Sequence, residues 1–201
     1  MRAALLALVV VPVVTVGQAS FFTAVLFVGG LAVLPKRPAL AGAPFGLLTV
    51  KRQLGLLLPV ALLITGAYRA FVATGFLVAL SLLFFGLAPW YAYAAHTLPF
   101  RQRLMTQMIG IYPTMMITLN AEFWWLGVPA TPALVLHDLI ATVVAGCALA
   151  IWQAPIDRDL RNAVLALASL VAVPYCLNYD LAIPAAALLS WATRGRAPSR
   201  R

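Results

Sequence analysis

Long apolar runs joined by very short polar breaks leave this chain almost no choice of environment. Residues 3–16, 21–34, 40–50, 54–65, 70–85, 131–152, 162–177 and 181–192 are apolar nearly throughout. Of the 201 residues, 64% are hydrophobic and only 9% charged, against about 45–50% and 25% in a soluble domain. Such a chain is an all-α, polytopic integral membrane bundle, read as a single transmembrane domain over residues 1–201 with seven or eight hydrophobic segments. Several segments hold only about 12–16 residues, below the roughly 20 that span a bilayer. Those are expected to be half-helices or to tilt into a cavity.

One break stands apart from the rest. In FGLLTVKRQLGLLLP, two apolar runs meet at Lys51, Arg52 and Gln53, with no acidic residue nearby in sequence. A Lys or Arg at a bilayer centre costs about 2.5–3.5 kcal/mol. The pair must therefore sit at the membrane surface, where it can snorkel to headgroups, or against an anion. Both readings stay open at the level of the residues.

Charge distribution bears on orientation. The chain carries 14 Lys and Arg against 5 Asp and Glu, a net charge of +9. In a membrane protein this excess reads first as the positive-inside rule. The basic tail at residues 193–201 (TRGRAPSRR) is too short and too interrupted for a nucleic-acid arm, so nucleic acid is not an expected partner. With that tail cytoplasmic and each run crossing once, ten of the 14 cations lie inside. Lys51, Arg52, Arg101 and Arg103 lie outside, which directs attention to the outer face. The apolar run behind Arg2, closed by Gly17, Gln18, Ala19 and Ser20, also fits a signal peptide.

Residues 87–130 differ from the rest of the chain. Trp90, Tyr91, Tyr93, Trp124 and Trp125 are aromatic anchors of the kind found at headgroup level, interspersed with His96, Arg101, Arg103, Asn120 and Glu122. This reads as one long outer loop with interfacial or re-entrant helices, its methionines between 105 and 116 packing in an interfacial helix. Thr131 and Pro132 read as a cap and first turn opening a helix to about Trp152. Residues 157–161 read as a charged turn. Cys147 and Cys176 have no partner spacing and are expected to be buried small hydrophobes. His137 and Asp138, two turns into an apolar helix, read as a satisfied interior polar pair. Two histidines and five acids without ligand spacing argue against a metal, and no cofactor is expected.

In order along the chain, GQASF after a short helix, the turn KRP, AGAPFGLLTVKRQLGLLLPVALL and VPYCLNYDLAIPAAALL resemble the C-terminal half of glycosyltransferase family 87. Its members are polytopic GT-C-type enzymes that use polyprenyl-phosphate-linked sugars. The resemblance implies transfer of a hexose, mannose in the familiar bacterial members, to a lipid or glycan acceptor outside the cytoplasm. The implied setting is a bacterial inner (plasma) membrane, with the C-terminus cytoplasmic and the active face extracytoplasmic. Where the family pattern reads Lys-Pro-Gln, this chain has Lys51, Arg52 and Gln53. The family's catalytic acid belongs to a first extracytoplasmic loop upstream of the resembling stretch, so the chain reads as truncated at its N-terminus. No catalytic residue is assigned.

The resemblance makes Lys51, Arg52 and Gln53 the expected ligands of the donor phosphate. Gln18, Ser20, Arg101, Arg103, Tyr179 and Asp180 would line the substrate cavity. For Asp180, two roles are open beside substrate contact: pairing with Lys51 or Arg52 across the cavity, and N-capping the last helix. Gln18 and Ser20 equally suit a helix start. The competing class is a non-catalytic membrane subunit or a transporter-like protein with paired half-helices.

Overall fold

A computed structural model describes residues 19–194 together with Val10 and Val14. Apart from those two valines, the run at residues 3–16 lies outside the described residues, as do the leader-peptide reading, Gln18 and the tail beyond Arg194. Within them the chain is helical, with a single isolated antiparallel bridge between Met116 and Leu177. Helices suit such a chain because lipid cannot hydrogen-bond the backbone, and each helix pairs its own N–H and C=O groups.

Helix α1 (Ser20–Val33) is the centre of the bundle, with Ser20, Thr23, Phe27 and Leu31 buried along one stripe. Recurrence every three to four residues places these side chains on one face. The turn after it leads into α2 (Pro38–Leu47), with Pro38 in the first turn, where its missing N–H is not needed. A 3-10 segment (Leu48–Gly55) follows, then α3 (Leu58–Ile64), bent by 111° from the Pro38–Gly55 stretch. α3 is thus no span by itself. The pair is either one broken span or a re-entrant hairpin, and the bend puts Lys51, Arg52 and Gln53 near its tip.

Gly66, at φ +68°, turns the chain into α4 (Tyr68–Phe85). This helix packs on α2 through small residues. A Cβ on Gly42 would overlap the Ala73 methyl, and one on Gly46 would lie 2.6 Å from Leu77 Cβ. Gly42 and Gly46 form a G-x-x-x-G spacing, which lets two helix backbones approach closely in lipid. Ala70 is the one residue of α4 that is fully buried; Phe71, Thr74, Leu77 and Val78 are half-buried, while Val72, Phe76, Leu83, Phe84 and Phe85 are exposed apolar surface. Gly42→Val is expected to separate α2 from α4 and lower the melting temperature in detergent by several degrees, as core overpacking costs about 1–3 kcal/mol. An unchanged melting curve would refute the close packing.

Next come α5 (Ala88–Ala92), a π-helical turn (Tyr93–Thr97), α6 (Leu98–Gln107), α7 (Tyr112–Met115) and α8 (Leu119–Trp125). The methionine stretch is not one helix. Met108, at φ 47°, and Gly110, at φ 69°, end α6 and reverse the chain, and Met108 and Met116 are buried. Helix α9 (Ala130–Gln153) starts one residue before Thr131, which lies in its first turn and is not its cap. Residues 157–161 are likewise no free turn. Asp157 accepts from Leu160 N at 2.8 Å and caps α10 (Arg158–Val171). A 3-10 turn (Asn178–Leu181) leads into α11 (Ala182–Arg194).

Among the described residues, α4 and α9 have the length and apolarity to cross a bilayer, with the bent α2–α3 stretch as a third. The other apolar runs form shorter helices, such as the 14 residues of α1, which reach only about 21 Å. Two further expectations fail here. Cys147 is exposed on α9, and Cys176 alone is buried. His137 is fully buried with neither ring nitrogen hydrogen-bonded, whereas Asp138 is exposed. Successive helix residues project about 100° apart, so the turn that buries His137 sends Asp138 outward and the two share no hydrogen bond.

Candidate active site

The helical run breaks at Lys51, whose φ −130° and ψ 69° are not helical. The break carries its ammonium across to the start of α1 and the loop before α11. Lys51 Nζ donates to Asp180 Oδ1 at 2.6 Å and to Ser20 Oγ at 2.9 Å, and stands 4.6 Å from the Tyr179 ring centroid. Of the two pairings open to Asp180, the structure makes the one with Lys51. Both side chains are largely buried, at 12% and 4% exposure.

Asp180 is saturated on its other oxygen. Oδ2 accepts from Leu177 N at 3.3 Å and from the Cys176 thiol at 3.7 Å. The carboxylate therefore ties down the loop that the Met116 bridge also holds, through Ile117 N to Cys176 O at 3.1 Å. It caps the Asn178–Leu181 turn, and α11 follows from there. Burial pushes the Cys176 thiol well above its ordinary range, and the Asp180 charge adds to it. A thiol kept protonated is a poor nucleophile. Tyr179 is raised by burial and by the same carboxylate, so its hydroxyl stays a donor.

Beside this neutralised pair lies a cationic cluster. The Arg52 guanidinium is stacked between two rings, 4.2 Å from the Trp90 centroid and 3.9 Å from that of Tyr93. Arg101 approaches Tyr93 from α6, donating to its hydroxyl at 3.1 Å and to Gln53 Oε1 at 3.2 Å, and also faces Tyr175 at 5.2 Å. Among the described residues neither guanidinium has a carboxylate partner. Arg52 Nε is buried with no acceptor. Gln53 accepts from Arg101, which leaves its amide group to donate. Two like charges on one tyrosine, with donors to spare, favour an anion between them.

Arg52 also stands on the wall of an apolar cavity of about 370 Å³ between α2, α3 and α4, lined by Phe45, Leu48, Leu58, Leu62 and Phe71. The cationic cluster thus adjoins an apolar cleft.

Of the residues singled out in the sequence, Ser20, Lys51, Arg52, Gln53, Arg101, Tyr179 and Asp180 meet here. Arg103 does not. It is exposed on α6 and makes none of these contacts. Two helix positions apart is about 200°, so when Arg101 faces inward Arg103 turns away. Ser20 gives α1 no side-chain cap; its hydroxyl serves Lys51. His96 is exposed in the π-helical turn. The sequence marks Trp90 and Tyr93 only as interfacial anchors and gives Tyr175 no role of its own. The i, i+3 spacing of Trp90 and Tyr93, one helical turn apart, is the signal that would have marked a two-ring clamp. Among the described residues no group of three His, Cys, Asp or Glu side chains could hold a metal.

The model of glycosyltransferase family 87 matches residues 1–177. The chain belongs to glycosyltransferase family 87. It is accordingly a membrane glycosyltransferase, with a sugar donor and an acceptor as partners. No curated protein and no solved structure matches the chain. The match ends at Leu177, so of the residues in the site only Tyr179 and Asp180 fall beyond it.

Proposed function

We propose that this family 87 protein transfers a hexose, mannose in our reading, from a polyprenyl phosphate to a lipid or glycan acceptor at the extracytoplasmic face of a bacterial plasma membrane. One observation carries the reading. Arg52 and Arg101 converge on Tyr93, without a carboxylate partner among the described residues, beside an apolar cavity. A ligand suited to both features is an anionic head on a long apolar chain.

In this reading Arg52 and Arg101 hold the donor phosphate, and the Gln53 amide donates to a phosphate oxygen. Lys51 contributes less direct charge than its position in the sequence suggests, because Asp180 neutralises it. It anchors the segment that presents Arg52. The acceptor oxygen attacks the anomeric carbon from the face opposite the phosphate, and the bond from that carbon to the phosphate oxygen breaks. Negative charge gathering on the departing polyprenyl phosphate is met by the two guanidinium groups, which are already in place. The acceptor proton passes to a general base. Asp180 is committed to Lys51, Leu177 N and Cys176, and is not that base. The family resemblance implies a carboxylate from the first extracytoplasmic loop.

The test is a transfer assay in membranes enriched in the protein as its cell makes it, supplied with radiolabelled hexose on either a polyprenyl phosphate or a nucleotide. Label should reach acceptor from the lipid donor and not from the nucleotide sugar. Transfer from the nucleotide sugar alone would overturn the assignment.

A further inference from the structure

The cavity beside Arg52 has a closed floor and an open side. Phe45, Leu48, Leu58 and Leu62 line it and are each buried, whereas Pro59 on α3 and Gly75 on α4 line it and are exposed. Its mouth therefore lies between α3 and α4. Gly75 is near the middle of the 18 residues of α4, so the mouth faces hydrocarbon. At about 370 Å³ the cavity is at the small end of ligand pockets, about 300–1,000 Å³. It has room for the start of a long chain, with the remainder left in the bilayer.

Gly75 keeps the mouth open. Phe71, Thr74, Gly75 and Val78 line the cavity from α4, and positions i, i+3, i+4 and i+7 form one face of a helix. A side chain at 75 would project from that face, and a Cβ there meets no atom within 4 Å. Thr74, beside it, donates its hydroxyl to Ala70 O at 2.8 Å, so this wall stays apolar. Gly42 and Gly46 have a different purpose, because Ala73 and Leu77 close over them. Gly75 has no such neighbour, and its φ is not positive. Neither packing nor backbone geometry requires glycine there, and glycine is a poor helix former. What it provides is empty space on the cavity wall.

We propose that Gly75 is a specificity-determining residue, which admits the first isoprene units of the donor between α3 and α4. The inference rests on the lipid-linked donor proposed above. Arg52 belongs both to the cationic cluster and to the cavity wall. A chain attached to a phosphate held by Arg52 and Arg101 thus starts at this cavity.

The experiment measures kcat/KM in the purified full chain with the hexose on geranyl phosphate and on ethyl phosphate, which has the same head and almost no chain. Gly75→Leu should lower the preference for the geranyl donor about tenfold or more, the effect of displacing about two buried methylenes. Gly146→Leu makes the same change on α9, where a Cβ also meets nothing within 4 Å, and should leave the preference at the parent value. An unchanged preference in Gly75→Leu would overturn the proposal. So would an equal loss with both donors, the result expected if a structural bilayer lipid fills the cavity. A second measurement does not depend on turnover. A polyprenyl phosphate carrying a diazirine in its first isoprene unit should label α3 or α4 of the parent, and labelling only elsewhere on the chain would overturn the proposal. A parent that transfers from neither donor and is not labelled at all would instead overturn the lipid-linked donor, and this inference with it.

Discussion

Asp180→Ala is expected to destabilise the protein by about 3–5 kcal/mol, as breaking a buried ion pair from one side does. Lys51 and Asp180 are 2.6 Å apart and nearly enclosed. Removing the carboxylate leaves the ammonium with only the Ser20 hydroxyl and the Tyr179 ring, and also releases Leu177 N and the Cys176 thiol. Lys51→Ala should cost a similar amount by stranding the carboxylate. The decisive variant is the pair together. Replacing a buried pair by apolar side chains is often neutral or stabilising, so Lys51→Leu with Asp180→Leu should recover most of the stability lost in either single change. Melting of the three variants in detergent measures this directly. If the double variant is as unstable as the sum of the singles, the two residues are not coupled as the geometry requires. The same measurement guards the function. A loss of transfer in Lys51→Ala is informative about donor binding only once its stability has been accounted for.

Arg52→Lys is the second large effect, expected chiefly in the donor KM. It keeps the charge but loses the planar guanidinium stacked between Trp90 and Tyr93. Guanidinium stacks on aromatic faces and meets phosphate with two donors, neither of which an ammonium reproduces. The ring contacts, worth about 0.5–2 kcal/mol each, are lost from the free protein too, whereas the bound donor loses one charge-assisted hydrogen bond, worth about 1.5–3 kcal/mol. Donor KM should therefore rise about tenfold or more, since each 1.4 kcal/mol is a factor of ten. Arg101→Lys should act in the same direction through Tyr93 and Gln53. Initial-rate measurements against the lipid-linked donor test both. An unchanged KM in Arg52→Lys and also in Arg52→Gln would remove Arg52 from the donor site.

Much of this site was legible because charge inside an apolar sequence needs a reason. Lys51, Arg52 and Gln53 stood out between two runs that no soluble fold would carry, and Asp180 was the acid whose position before the last helix allowed a partner. The errors have equally physical origins. His137 and Asp138 are neighbours in sequence, but the helix turns them to different faces, one buried and one exposed. Arg101 and Arg103 are separated the same way. Cys147 sits in an apolar run and is nonetheless exposed, because apolarity in such a chain does not distinguish the bundle interior from the outside.

By itself, the sequence determined that the chain is helical and membrane-embedded, and that its basic break at residue 51 is exceptional. Those follow from composition and run length, because a bilayer excludes unpaired charge and unpaired backbone groups along any segment. Only the tertiary structure decided which cation is neutralised and which is free. Lys51 and Arg52 are adjacent and alike in sequence. The backbone break at Lys51 sends one ammonium to Asp180, 129 positions away, and leaves the next guanidinium between two rings. Tertiary packing sets that difference, since it depends on where α1, α5 and the loop before α11 meet.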